Sequence, residues 1–509
     1  MKTKIRRQLA QRKRRIERRL DKRNVQGSDH PMLTASNIHY EISDRDRGIA
    51  HGGIGVFHAL ARRTGLIDAI DRRLVLLKIH QPYHESDHVL NFAYNALCEG
   101  TRLEDIELRR NDEVFLDALG AERIPDPTTA GDFCRRFGPA DIRALQNAFH
   151  ETRQQVWAEQ PDAFFDRAII DMDGTLVGTT GACKHGMDIA YNGIWGYHPL
   201  VVSLANTGEV LSIVNRPGNR PSHEDAAAEV DRCLQVCFDG GFRRVLLRGD
   251  TDFSQTEHLD RWNADPRIRF IFGYDAAENL KEIAEKLPER AWKTLQRPAR
   301  YPVATRTRQR PDNVKNAIVK RREFDTLRLQ SEEVAEFNYR PTACRRVYRM
   351  VVVRKNITKD KGELHLYDEI RYFFYISNDW VSETDEIVFC ANDRCDQENL
   401  IAQLAGGCRA LRAPVDNLYS NWASMVMTAL AWDLKAWWAL LLPEGPGRHR
   451  EAYRADKRWV LRLEFKTFVQ AFVRLPCQIV RAGRRLLYRL LSWNPHQPIF
   501  WRLVDVLRC

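Results

Sequence analysis

The sequence contains no apolar run that is both long enough and free enough of charge to cross a membrane. The best candidate, residues 424–442, carries Asp433 and Lys435 at its centre, and charged side chains are costly in lipid. The basic N-terminus is not followed by the apolar segment of a secretory signal. We therefore expect a cytoplasmic protein with no membrane partner.

A zinc-binding arrangement of cysteines is also missing. The eleven Cys residues are scattered, and neither Cys233/Cys237 nor Cys390/Cys395 has zinc-ligand spacing with a nearby His. Reduced and mostly buried thiols are expected. The apolar share of 44% is ordinary for a folded protein, and 509 residues are enough to bury more than one core.

Charge is present in excess, and it is unevenly placed. The net charge is +11, and twelve of the first 25 residues are Lys or Arg, with only Glu17 and Asp21 against them. The chain is strongly basic again from residue 448 to its end. Two basic zones around a balanced middle predict a polyanionic partner, because phosphate neutralisation needs charge and no particular sequence.

The middle of the chain changes its hydrophobic period near residue 165. Residues 31–160 have helical spacing, and a loop with an N-cap at residues 126–129 precedes a short helix at 130–137 that carries Arg135 and Arg136. These two arginines are candidate DNA contacts. Beyond residue 165, strands and helices alternate as follows: strands at 168–173, 197–205 and 209–214, a helix at 224–238, a strand at 244–248, a helix at 255–262 and a strand at 268–273.

Three strands, then helix, strand, helix and strand is the order of an RNase H-like fold. Asp173 lies at the end of the first strand and Asp250 just past the fourth. Residues 274–379 interrupt this order with alternating, mainly β segments. Helical spacing then returns, and it places Glu398 on a helix beside the sheet.

The fold class expected is therefore α/β: an RNase H-like mixed sheet with helices, interrupted by a mainly β insertion, with a helical N-terminal region and a basic helical C-terminus. The expected parts are a basic tail (1–30), a helical DNA-binding region (31–160), the first part of the core (161–273), the insertion (274–388), the second part of the core (389–445) and a basic helical C-terminal region (446–509).

Several separate motifs resemble bacterial insertion-sequence transposases of the DDE type, in the group with a β insertion. They are residues 169–176 around the first Asp, 186–200 before the second strand, 216–219 after the third strand and 247–250 around the second Asp. The third site of that family has the signature Tyr-x2-Arg-x3-Glu-x6-Lys. This chain keeps Arg394 and Glu398 at the right separation, with Ala391 and Ala405 in the Tyr and Lys positions.

The resemblance implies that Asp173, Asp250 and Glu398 are the catalytic, metal-binding carboxylates. It implies two Mg²⁺ ions, with Mn²⁺ as a substitute, and Asp173 bridging them; two such ions activate the attacking oxygen and stabilise the leaving one. Arg248 and Arg394 are expected to contact phosphate or carboxylate groups. The implied partners are the element's terminal inverted repeats and target DNA, bound by a dimer close to the bacterial nucleoid.

Two other interpretations stay open at this point. Asp171 and Asp173, followed by Gly-Thr, also match the nucleophile loop of a haloacid-dehalogenase-type phosphohydrolase, although Ser254 stands where that family has its later Asp. Alternatively, the missing Tyr and Lys indicate a decayed transposase that only binds DNA. Among neighbouring residues, Asp171 is a candidate additional ligand, Asp252 an expected helix N-cap, and Trp292 either a base-stacking residue or a core residue.

Overall fold

The computed structural model describes residues 3–21, 35–36, 38–42, 46–80, 82–181, 183–297, 314–362, 364–445, 447–483 and 485–507. These form two compact units. One consists of residues 1–162, 175–220 and 399–509, and the other of residues 163–174 and 221–398. Of the predicted basic tail, residues 1–2 and 22–30 lie outside the described residues, and of the predicted insertion, residues 298–313 and 363 do.

The N-terminal part of the first unit is helical, as its spacing predicts. Asp126 accepts a hydrogen bond of 2.9 Å from the Thr129 backbone N–H and so caps the helix that follows it. The elements are α1 (Thr3–Leu20), β1 (Gly48–Ile49), α2 (Ile54–Arg63), α3 (Leu66–Arg73), α4 (Glu85–Leu97), α5 (Ile106–Arg110), α6 (Glu113–Leu119), α7 (Pro127–Cys134) and α8 (Pro139–Ala158).

The basic N-terminal segment is a helix where a tail was expected. α1 is composed mainly of Arg, Lys, Gln, Leu and Ala, all of which have high helix propensity. None of its residues is buried. Arg12 Nη1 donates hydrogen bonds of 3.0 Å to the Leu490 and Ser492 carbonyls.

The central segment supplies one strand to the second unit and five to the first. The predicted strand 197–205 is two strands, because Pro199 interrupts the ladder. The elements are β2 (Ala168–Gly174) in the second unit, and β3 (Val177–Gly178), β4 (Asp188–Ile189), β5 (Trp195–Tyr197), β6 (Leu200–Leu204) and β7 (Glu209–Val214) in the first. β3, β5 and β4 form a small antiparallel sheet, and β6 and β7 form a hairpin.

The second unit continues with alternating helices and strands and then with three long strands. Its elements are α9 (Ala226–Asp239), β8 (Val245–Gly249), α10 (Thr256–Ala264), β9 (Ile268–Tyr274), α11 (Glu278–Glu285), β10 (Lys293–Thr294), α12 (Val314–Arg321), β11 (Asp325–Tyr339), β12 (Tyr348–Lys361), β13 (Leu364–Ser377) and α13 (Thr384–Asn392). α14 (Cys395–Ala402) begins in this unit and ends in the other.

The strands of the second unit form one mixed sheet in the order β10-β11-β12-β13-β9-β8-β2. β2, β8 and β9 are parallel neighbours. The other pairs, which are β9–β13, β13–β12, β12–β11 and β11–β10, are all antiparallel. Apolar residues from the strands and from α13 form the core between them, including Leu246, Ile271, Val351 and Ile387. Trp292 belongs to this buried interior, with the Arg354 guanidinium 4.4 Å from its ring centre.

The C-terminal part of the first unit is built around one buried helix. Its elements are α15 (Leu418–Leu440), α16 (Arg450–Arg462), α17 (Phe465–Phe468), β14 (Cys477–Ala482), β15 (Arg485–Leu490) and α18 (Gln497–Leu507). The basic C-terminal region is therefore not wholly helical. Arg481, Arg485 and Arg489 lie on the β14–β15 hairpin, whose turn contains Gly483 at a φ of +60°, a conformation that glycine adopts without strain.

The apolar segment near residue 430 is a buried helix of the core, α15. Asp433 accepts hydrogen bonds of 2.8 Å from the Arg153 guanidinium and the Val210 backbone N–H. Arg153 also donates to Glu209, and all three charged side chains are buried. Among the described residues, no helix is long and apolar enough to span a membrane.

Candidate active site

The candidate site begins at the carboxyl ends of two adjacent parallel strands. β2 ends with Asp173 and Gly174, and Asp250 follows directly after β8. The carboxyl ends of neighbouring parallel strands lie at the same edge of a sheet. The order of strands in the sequence therefore brings two aspartates that are far apart in the chain to one place.

A tight turn holds the Asp250 backbone at this edge. The Asp250 carboxylate accepts a hydrogen bond of 3.0 Å from the Asp252 backbone N–H and caps the short 3-10 helix Thr251–Phe253. A Cβ atom on Gly249 would lie 2.7 Å from the Phe253 Cβ, so only glycine allows this approach. Asp252, expected as the N-cap of the next helix, is not its cap, because α10 begins after Gln255.

Asp171 lies on the same face of β2 as Asp173, but it is deeper in the fold. Its carboxylate is 1% exposed and accepts two hydrogen bonds of 2.7 Å from Arg248, its register partner on β8. Arg248 Nη1 also donates to the Cys390 carbonyl at 2.8 Å. Burial raises the pKa of Asp171, and the Arg248 guanidinium opposes that rise.

The third expected carboxylate, Glu398, lies on the first turns of α14, and its side chain is 63% exposed. Arg394 lies between it and Asp173. Its Nη1 donates to Asp173 Oδ2 at 3.1 Å, and its Nη2 is 3.9 Å from Glu398 Oε1. The structure therefore places Asp173, Asp250, Arg394 and Glu398 in one unit, with Arg394 contacting both the first and the third acidic residue.

Burial and mutual repulsion determine the protonation of the two aspartates. Burial, together with the nearby Asp250 charge, raises the pKa of Asp173 to about 6, although Arg394 opposes the shift. Burial also raises the pKa of Asp250, with Asp252 and Glu398 adding to it. Two half-buried carboxylates that repel each other are stabilised by any cation that binds between them.

The donor set suits a hard divalent cation, because carboxylate oxygens are what Mg²⁺ prefers. Within the described ranges, however, no three His, Cys, Asp or Glu side chains converge closely enough to hold a metal ion. Instead, Arg394 donates a hydrogen bond to Asp173, and the Glu398 side chain is 63% exposed. Asp173 and Asp250 are the part of the set that the fold itself brings together.

The remaining candidate residues have different surroundings. Arg248 was predicted to contact phosphate or carboxylate groups, and its partner is a carboxylate of the protein: it is 4% exposed and its guanidinium is bonded to Asp171 and to a backbone carbonyl. Arg135 is exposed and pairs with Asp132 and Asp416 at 2.6 and 3.0 Å, and Arg136 is exposed at the end of α7.

Sequence reasoning missed the pairing of Asp171 with Arg248. A signal for it exists, because each residue stands two positions before a candidate catalytic aspartate. The two strands are parallel neighbours in register, so residues at the same offset from the strand ends lie side by side. The pairing becomes readable only once β2 and β8 are known to be adjacent.

Comparison with known proteins identifies the family. The model of the family described as transposase DDE domain group 1 matches residues 46–509. The chain belongs to this family. The two carboxylates at the strand ends thus lie in a DDE transposase domain. The match also includes the helical segments that precede and follow them in the sequence.

A comparison with solved structures finds similarity to another transposase. The matching structure is a piggyBac transposase synaptic complex with hairpin DNA, determined by cryo-EM. Its sequence is 10% identical, and the match covers 84% of this chain and 81% of the piggyBac chain, with a TM-score of 0.35. No curated protein matches the transposase significantly in sequence.

Proposed function

We propose that this transposase cuts DNA at the ends of a mobile element and joins the 3′ ends to a target. In this proposal Asp173, Asp250 and Glu398 hold two divalent ions, Mg²⁺ with Mn²⁺ as a substitute. The observation that carries the proposal is the pair of half-buried, mutually repelling carboxylates at the ends of β2 and β8. It supports a cation site at the position where this family has its first two acidic residues.

When bound, the metal ions would activate the attacking oxygen and stabilise the leaving oxygen at phosphorus. The chain's own residues prepare that site. Asp171 and Arg248 hold β2 against β8 through two hydrogen bonds, which positions Asp173 relative to Asp250. Arg394 holds the Asp173 carboxylate in place, and its guanidinium would be available to a DNA phosphate if Asp173 held a metal ion.

DNA binding is assigned to exposed basic elements of the other unit. α1 presents nine Lys and Arg residues with no buried residue among them, and the β14–β15 hairpin presents Arg481, Arg485 and Arg489. Arg135 and Arg136 at the end of α7 are further candidates. A dimer that holds both element ends is part of the proposal.

The decisive experiment compares carboxylate variants with a matched neighbour. Asp173→Asn, Asp250→Asn and Glu398→Gln should each reduce cleavage and strand transfer of an element-end DNA to background, while DNA binding stays nearly unchanged because the basic surfaces remain. Asp252→Asn is the control, since Asp252 is exposed and its hydrogen bond to Asp250 comes from the backbone N–H, which the substitution leaves in place. EDTA should act on the wild type as the three variants do.

The same assay distinguishes a decayed transposase. Ala391 and Ala405 stand where the family signature has Tyr and Lys, so a protein that only binds DNA is the second candidate. Wild-type protein that binds element ends but never cuts them, in Mg²⁺ or Mn²⁺, would establish that candidate and refute the proposal. Cleavage retained by any one of the three variants would remove that residue from the site.

A further inference from the structure

The three long strands β11, β12 and β13 extend beyond the core of their unit, and their far ends are exposed. The buried part of the ladder includes Val351 to Val353, Phe374 and Ile376. Outside it, several large apolar side chains face solvent at 40–69% exposure. These are Leu327, Leu329, Leu364, Leu366, Tyr367, Ile370 and Phe373.

One edge of this extension is a long unpaired strand. β13 runs from Leu364 to Ser377, but β9 pairs only with Phe374–Ser377. In the part of the chain that the structure describes, no strand is bonded to that edge over residues 364–373. An exposed, apolar edge of this length is a template for pairing with another strand.

The charges of the extension favour a protein partner over DNA. Residues 325–329, 355–362 and 364–373 contain five Lys or Arg residues and four Asp or Glu residues. A surface that neutralises phosphates has a clear basic excess, and this one is nearly balanced. Its apolar side chains alternate with charges of both signs, as in a strand-to-strand interface.

We propose that residues 367–373 of β13 pair antiparallel with the same residues of a second copy of this chain. The symmetry restricts the register. In an antiparallel pair, opposed residues both direct their N–H and C=O groups across the gap or both direct them away. Two identical strands related by a twofold axis therefore place one residue opposite itself.

Only the axis through Ile370 places a carboxylate opposite a guanidinium. With Asp368, Glu369 or Arg371 on the axis, a charged side chain would face its own copy, which is unfavourable. With Tyr367 on the axis, Asp368 would face Leu366. With Ile370 on the axis, the apolar side chain faces itself.

In the Ile370-centred register, each Glu369 lies opposite Arg371 of the partner subunit, twice by symmetry. Tyr367 likewise lies opposite Phe373 of the partner subunit. All four positions share one face of the strand, where Lys355 and Lys359 already lie over the Phe373 and Tyr367 rings. Glu369 and Arg371 are paired within the chain at 2.8 Å, so the interface would extend an existing ion pair into a four-residue network.

Sedimentation of the full-length protein without DNA tests this interface separately from catalysis. The wild type should be a concentration-dependent dimer. Glu369→Arg and Arg371→Glu should each weaken it at least about tenfold, because each brings two like charges into opposition. The double exchange E369R/R371E should restore the wild-type affinity, which a general folding defect would not allow.

A cross-linking variant tests the register itself. Ile370→Cys should form a disulfide-linked dimer under mild oxidation, because directly opposed Cβ atoms lie about 4.5–5.5 Å apart. Asp368→Cys should not exceed the wild-type background from exposed Cys183 and Cys395, because its expected neighbour is Tyr372. Leu329→Lys, on the other edge of the extension, is the control and should remain dimeric.

Several outcomes would overturn the interface. They are a monomeric wild type at all concentrations, double exchange without rescue, or equal cross-linking at residues 368 and 370. Each can occur while the protein still cuts DNA, and loss of cutting in the carboxylate variants leaves this dimer intact. The interface and the proposed function can therefore fail independently.

Discussion

Arg248 donates two hydrogen bonds of 2.7 Å to Asp171, one to each carboxylate oxygen, and both side chains are almost completely buried. This pair decides between the two interpretations of the Asp-Met-Asp-Gly-Thr segment. A phosphohydrolase of the haloacid-dehalogenase type needs its first Asp open to attack phosphorus. Here that position is Asp171, and both its oxygens are occupied. The family match over residues 46–509 agrees with this exclusion.

Removing one member of the pair should destabilise the protein strongly. Asp171→Leu or Arg248→Met alone leaves an uncompensated buried charge, with a loss of roughly 3–5 kcal/mol in the free energy of unfolding. The double variant D171L/R248M should recover most of that loss, because an apolar pair removes both desolvation costs. Denaturant unfolding of the four proteins gives the coupling energy.

The double variant also separates stability from catalysis. It should fold but cut DNA slowly, because it lacks the hydrogen bonds between β2 and β8 that position Asp173 relative to Asp250. Additive effects of the two single variants on unfolding would show that the pair is not coupled. Wild-type protein that releases phosphate from an aryl phosphate, with the activity abolished in Asp171→Asn, would restore the phosphohydrolase interpretation.

The N-terminal helix should contribute to DNA affinity through charge alone. Deleting residues 1–28 should weaken binding and lower the slope of log K against log salt by about one for each phosphate that the segment neutralises. Because α1 buries no residue, the deletion should leave the unfolding midpoint nearly unchanged. Binding titrations over a salt series measure the slope, and an identical slope for both proteins would show that α1 does not bind DNA.

Lys435 should make stability depend on pH above neutrality. Burial lowers the pKa of this lysine to about 7, while its Nζ donates to the Leu461 carbonyl at 2.8 Å and lies 3.9 Å from the Trp432 ring centre. Between pH 7 and the ordinary lysine pKa of about 10, Lys435 is protonated in the unfolded state but mostly neutral in the folded state. The free energy of unfolding should therefore rise with pH across that window, by roughly 2–5 kcal/mol.

Lys435→Met removes this dependence, because the titrating group is gone. Urea unfolding at several pH values between 7 and 10 checks the difference between the two proteins. Lys466→Met is the matched control, since Lys466 is exposed on the same unit, and it should keep the wild-type slope. A rise of equal size in Lys435→Met would mean that another group carries it.

Local pattern was sufficient for much of the fold. Strands 168–173, 209–214, 244–248 and 268–273 were predicted to within a residue or two of β2, β7, β8 and β9, because each is a short apolar run with turn residues beside it. A helix cap within residues 126–129 follows from the same kind of local chemistry, although the helix begins at Pro127 and not at residue 130. The C-terminal hairpin was missed, since Arg485 and Arg489 are four positions apart, which is a helical spacing.

The candidate site divides in the same way. Asp173 and Asp250 can be found in the sequence because each ends an apolar strand, and parallel order brings strand ends together. The contacts of Arg248 and Arg394 depend on which strands are neighbours and on how a helix joins the sheet. Arg248 is bonded to Asp171 instead of DNA phosphate because β2 and β8 are adjacent and in register. A charged side chain's partner is set by distances across the fold, and only the tertiary structure determines those distances.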